Sequence, residues 1–152
     1  MHPMRSALVP ALLLALLAAC ASGGGGARPS GTPGGMAPAD AVERFMRASE
    51  KKDYNEMAWL FGTTQGSVLT RDPRPDAERR MFTISSVLEH ERFAIRDESP
   101  IPGSATGEVG FTVQLTSRGH SSDVPFTVVR GPAGRWFVEK IALEAVTAAT
   151  QQ

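Results

Sequence analysis

The chain has 152 residues, one cysteine, and 16 basic against 16 acidic side chains. That length holds one domain. The even charge leaves neither a broad basic field for nucleic acid nor an acidic tail for a cationic partner. The lone cysteine excludes an internal disulfide framework.

The N-terminus carries Arg5 and then an apolar run from Ala7 to Ala19, interrupted by Pro10. A run of this length matches the core of a signal peptide and falls short of the ~20 residues that span a bilayer. It ends in Leu17-Ala18-Ala19-Cys20, which resembles the lipobox of bacterial lipoproteins. The resemblance implies a signal peptide over residues 1–19 and cleavage before Cys20. It also implies lipid on the Cys20 sulfur, with palmitate-type acylation of the new amine. Capping the only thiol suits an oxidising compartment, where a free one is a hazard. Two or three acyl chains give stable attachment to a membrane. By the sorting rule that this resemblance brings with it, Ala21 after the cysteine, in place of Asp, implies the outer membrane facing the periplasm. Residues 20–39 are rich in Gly, Pro and Ser and hold almost nothing apolar, so they are expected to be a disordered tether. Such a tether has a typical end-to-end distance of roughly 25 Å.

The remaining domain, expected over residues 40–147, spans about 108 residues, enough to bury its own core. Asp40 with Glu43 reads as a capping box, followed by Val42, Phe45, Met46 and Ser49 on one helical face. Asp53 with Glu56 repeats the signal for a second helix carrying Tyr54, Met57, Trp59, Leu60 and Phe61, stopped by Gly62. Thr63 to Arg74 reads as loop with a short strand at Ser67–Thr70. The prolines Pro73 and Pro75 suit the entrance of a third helix, expected from Pro75 to Glu89 with Ala77, Met81, Ile84 and Leu88 inward.

The second half changes period. Residues 92–96 alternate until Ser99-Pro100 breaks the pattern. Val109, Phe111, Val113 and Leu115 alternate with polar residues, a half-buried strand. Ser117 to Ser122 reads as a polar turn, and Val124, Phe126 and Val128 form the next inward row. Gly131-Pro132-Ala133-Gly134 turns the chain into a last strand, Arg135 to about Leu143, whose apolar residues fall on both faces. That pattern marks a central strand or a bulge near Glu139. Residues 148–152 are expected to form a disordered tail. Helices followed by an antiparallel meander make an α+β fold.

Helices joined at Lys51-Lys52-Asp53-Tyr54, and a last strand opening Gly134-Arg135-Trp136-Phe137-Val138, resemble the nuclear transport factor 2-like (cystatin-like) superfamily. Within it the chain is similar to small bacterial lipoproteins of unknown function, over about residues 40–145. The resemblance implies N-terminal helices packed on a curved antiparallel sheet of about four strands, closed into a cone that often holds a pocket.

Enzymes of that superfamily place a carboxylate or histidine inside the cone, where an apolar wall tunes it for proton transfer. The inward strand positions here, Val109 to Leu115 and Val124 to Val128, hold no titratable side chain, so no catalytic residue is assigned. His120-Ser121-Ser122-Asp123 has the residue types of a catalytic triad, but they are consecutive and read as a turn. Glu89-His90-Glu91 offers metal-ligand types pointing in different directions, and no metal or cofactor is expected. Arg71, Arg74, Arg79 and Arg80 are interleaved with Asp72, Asp76 and Glu78, as on a solvated face.

Phe45, Trp59, Phe111, Phe126 and Trp136 are expected to meet in the interior, either as filled core or as the lining of an apolar pocket. The functional expectation is a membrane-anchored envelope lipoprotein, non-enzymatic, that binds or scaffolds another envelope protein. The alternative is a carrier of a small hydrophobic ligand, with an isomerase- or hydrolase-type enzyme behind it. The partners expected are the membrane, through Cys20, and that protein or ligand, without nucleic acid.

Overall fold

A computed structural model describes residues 31–104 and 107–149. The leader, Cys20, the tether up to Ser30 and residues 150–152 lie outside the described residues. In chain order the elements are α1 (Pro38–Glu50), α2 (Tyr54–Leu60), β1 (Gly62–Thr63), β2 (Gly66–Ser67), α3 (Arg74–Val87), β3 (Arg92–Pro100), β4 (Val109–Ser117), β5 (His120–Arg130), β6 (Trp136–Ile141) and α4 (Glu144–Ala149). The fold is α+β: helices pack on a four-stranded antiparallel meander of order β3-β4-β5-β6.

The apolar stripe of α1 is where the spacing puts it, with Val42, Phe45, Met46 and Ser49 all buried. Its start is different. The helix begins at Pro38, whose missing N–H costs nothing in a first turn, and Ala37 occupies the cap. Asp40 therefore lies inside the first turn, and its carboxylate accepts a hydrogen bond from the Met36 N–H at 2.7 Å. Glu43 bridges to Arg47 at 2.7 Å one turn on, so the expected Asp40–Glu43 capping box does not form. The second cap does form: Asp53 accepts from the Glu56 N–H at 3.1 Å.

Gly62 ends that region for a steric reason. A β-carbon there would meet the Gly66 carbonyl oxygen at 2.2 Å, so only glycine lets β1 and β2 pair. Phe61, just ahead of β1, bridges Val138 of β6 in parallel, which sets this small hairpin beside the free edge of the sheet. The strand expected at Ser67–Thr70 ends at Ser67, and Val68–Thr70 makes a 3₁₀ turn instead. Ser67 drives this, accepting from Leu69 N–H and donating to the Ala58 carbonyl at 2.7 Å.

In the meander, β3 runs on through Ser99-Pro100 where a break is expected. It is an edge strand, and there a proline need not supply a ladder hydrogen bond. The β4–β5 turn is only Arg118-Gly119, both at positive φ (51° and 81°), a two-residue hairpin turn whose twist matches its strands. His120, Ser121 and Ser122 thus belong to β5 and not to a turn. The pairing skips Glu139, from Thr127↔Lys140 to Val128↔Val138, which is the bulge offered by the two-faced pattern; its other reading, a central strand, does not hold, because β6 lies at the edge of the sheet. Phe137 and Val138 precede the bulge in regular register and point to opposite faces, and both are buried, Val138 in the core and Phe137 against Gly34 and Gly131. Beyond β6, α4 packs against β5, and its Val146 against the core, where a disordered tail is expected from residue 148.

The core lies between the helices and the sheet. Phe45, Met57 and Met81 from the helices meet Val113, Phe126 and Val128 from the strands, all fully buried. Phe126→Ala should lower unfolding stability by about 3–5 kcal/mol, because a central cavity there cannot collapse. Urea denaturation measures it.

Candidate functional site

Of the five aromatics expected to converge, four meet the core. Phe45, Phe111 and Phe126 are buried in it, with Phe45 and Phe126 edge to face at 6.3 Å between ring centroids, and the half-buried Trp136 packs against it. Trp59 is not among them. It lies half-buried, like Trp136, at the end of the domain where α1 begins, alongside residues 31–37.

Those residues overturn part of the tether expectation. The Gly34 N–H donates to the Trp59 carbonyl at 3.0 Å, and Gly35 and Trp136 exchange two backbone hydrogen bonds at 2.7 and 2.9 Å. Arg44 donates to the Gly34 carbonyl at 3.0 Å and pairs with Glu56, while Arg135 holds the Pro33 carbonyl at 3.0 Å. Gly35 is buried against Ala41, so close that a β-carbon would meet the Ala41 nitrogen at 2.5 Å. Composition that reads as spacer is here an adhesive strap. Glycine allows it, because only a bare backbone can approach so closely.

The opposite end of α1 carries the polar site. Helix α1 is about 20 Å long and ends at Glu50, beside the end of α3. Between them opens a cleft of about 200 Å³ that includes Ser49, Glu50, Tyr54, Phe82, Ser85 and His90 in its lining. The third helix stops at Val87, two residues short of the expected Glu89, and the chain then turns. Glu89 and Glu91 are exposed, but the His90 side chain turns inward and is only 2 % exposed. Its Nδ1 is 2.6 Å from the Leu88 carbonyl, and its ring meets Phe93 edge-on at 5.6 Å. Its Nε2 is buried without a hydrogen-bond partner. Glu50 Oε1 stands 3.3 Å away, within ion-pair reach but without the alignment of a hydrogen bond. Ser49 and Ser85, both buried, bond to each other at 3.0 Å behind it. At the mouth Tyr54 and Phe82 form an edge-to-face pair, and Phe82 is 54 % exposed.

Two larger clefts adjoin this one. One of about 480 Å³ shares Glu50 and lies between α1 and β3, lined by Arg47, Arg92 and Phe93 among others. Another of about 480 Å³ shares Glu89 and lies between the end of α3, the β4–β5 hairpin and α4, with Val87, Leu115 and Val146 as its apolar wall. His120 and Ser122 reach its rim from alternate positions of β5. Asp123 is bonded instead to Gln114, and Ser121 to Thr116, so the four consecutive residues do not converge. The arginine run is a solvated face, with Arg80 paired to Asp72, Arg79 to Asp76 and Arg74 to Glu78.

In the sequence His90 stands out only as a metal-ligand type and Tyr54 only as part of the second helix, and Glu50 does not stand out at all. One signal was available: Ser49 occupies a core position of the α1 stripe, and a polar residue there is more informative than an exposed apolar one. No family model matches the chain, and no curated protein is significantly similar to it.

The Glu50 carboxylate is partly exposed, so its proximity to His90 should matter little for folding. Glu50→Gln is expected to shift unfolding stability by less than about 0.5 kcal/mol. A loss of several times that amount in urea denaturation would make the pair a structural one.

Proposed function

We propose that the chain is a lipid-anchored envelope lipoprotein. On this reading its folded domain is a non-enzymatic recognition module that presents its grooved end to another envelope protein. Leu17-Ala18-Ala19-Cys20 supplies the anchor. The observation that carries the rest is positional: the chain enters the domain through the strap at one end of α1, and the three adjoining clefts gather at the other. Residues 20–30 reach at most about 40 Å when fully extended. The domain would therefore stay near the bilayer with its clefts turned toward neighbouring molecules. Helices laid on an antiparallel meander also support a nuclear transport factor 2-like reading of the domain.

A second reading, the hydrophobic carrier, has its own observation. The cleft walled by Val87, Leu115 and Val146, at about 480 Å³, falls in the size range of small-ligand sites. The contact of Phe45 with Phe126 across the interior, with ring centroids 6.3 Å apart, weighs against a carrier site inside the cone. An isomerase- or hydrolase-type enzyme has less behind it: Ser49 and Ser85, which share the cleft with His90, are buried and bonded to each other.

Radiolabelled palmitate should mark the wild type and not Cys20→Ala when each is made in a bacterial host. Equal labelling would remove the anchor from the proposal. For the domain, a photo-crosslinking residue at Phe82 should join one discrete envelope protein in intact cells, and the same residue at Arg135 should not. Crosslinks from Phe82 only to other copies of the chain would count against recognition, and a bound lipid-like molecule in the native mass spectrum would favour the carrier.

A further inference from the structure

We infer that the cleft between the ends of α1 and α3 binds a single alkylammonium group, the chemistry of a lysine side chain or of a small free amine. The argument starts from where the hydrogens point. His90 Nδ1 lies 2.6 Å from the Leu88 carbonyl, which can only accept, so Nδ1 carries a proton. In the neutral ring Nε2 is then a lone pair, buried behind the cleft lining with no hydrogen-bond partner. The serine hydroxyls are oriented the same way. Ser49 donates to Ser85, Ser85 donates to the Ser49 carbonyl, and Ser86 donates to the Phe82 carbonyl. Each proton points into the protein, so what these side chains offer the cleft is oxygen lone pairs.

Charge agrees with this. Glu50 and Glu89 line the cleft against one cation, Lys52, which is exposed. Two helices end here, and helix C-termini carry partial negative charge that favours a cation. The His90 nitrogen and the Glu50 carboxylate oxygen are 3.3 Å apart, and an ammonium nitrogen that enters as the partly exposed Glu50 side chain gives way can donate to both. A buried acceptor without a donor is costly to leave so, and an ammonium would satisfy it.

Shape sets the rest of the ligand. At about 200 Å³ the cleft lies below the ~300 Å³ at which sites for drug-sized ligands begin, and it suits one side chain. The Tyr54–Phe82 pair at the mouth gives an aliphatic stem an apolar wall and a passing cation an aromatic face.

This inference rests on reading the grooved end as the recognition end. Its test needs neither membrane nor partner, so it can fail while the anchor stands, or stand while the anchor fails. The full chain is titrated with n-butylammonium, with capped lysine amide and with n-butanol while the His90 and Phe82 ring resonances are followed by NMR. Saturable movement with the amines and none with butanol is the expected result. A response to both amines points to a protein lysine, and one to butylammonium alone points to a free amine. In Glu50→Gln, with its unfolding midpoint unchanged, amine binding should weaken by about fivefold or more, because a charge-assisted hydrogen bond is lost. Lack of saturation with either amine, an equal response to butanol, or unchanged affinity in Glu50→Gln overturns the assignment.

Discussion

The rest of the structure depends on one contact, the burial of the α1 stripe against the sheet. Phe45 lies edge to face with Phe126 of β5 and against Phe61 beyond α2, so one ring ties together the first helix, the central strands and the small hairpin. Burying a side chain of that size contributes about 1.5–3 kcal/mol, and aromatic pairs add ~0.5–1.5 kcal/mol more. Val42 and Met46 flank it on the same face. Because three positions of α1 are held, the helix can neither roll nor slide. Its two ends therefore sit at fixed places on the domain, and each end has been given different work.

At its N-terminal end α1 receives the strap. The Arg44 guanidinium, one residue before Phe45, reaches the Gly34 carbonyl and the Glu56 carboxylate together. It thereby ties strap, first helix and second helix at one point. The attachment is mostly backbone: Gly35 pairs with Trp136 as a one-residue extension of the sheet edge. Side-chain burial contributes little to it, since two glycines provide most of the contact. Such a strap is held by hydrogen bonds and by the close approach they require, and a side chain at Gly34 or Gly35 would push it off.

That is also why the strap was hidden in the sequence. Disorder is read from missing apolar side chains, and Gly34-Gly35 lacks them for a different reason, to let one backbone touch another. The strands were legible because alternation reports burial directly: Val109 to Leu115 and Val124 to Val128 face inward as their period requires. The bulge at Glu139 was one of the two readings that the two-faced pattern of Trp136 to Leu143 offered. Boundaries set by a few hydrogen bonds were not. The start of α1 was decided by Pro38 over Asp40, and the β4–β5 turn by two residues of left-handed backbone at Arg118-Gly119. The last helix lacks a strong period of its own and depends on tertiary contact with β5.

The candidate site was the least legible part, and the reason is general. Glu50 is remote in sequence from Ser85 and His90, and it meets them only because α1 and α3 end side by side. A pattern search finds chemistry within a segment, as in His120 to Asp123, where the sheet then turns alternate residues to opposite faces. Chemistry assembled from helix ends leaves a subtler trace, a polar residue on a stripe that ought to be apolar. Ser49 is such a residue, and its partner Ser85 is another. Two buried hydroxyls that satisfy each other cost the core some apolar contact. They also keep the floor of the cleft polar, where Leu or Val would fill it. The same geometry that fixes α1 through Phe45 thus holds a polar opening one turn further along, between Ser49 and His90.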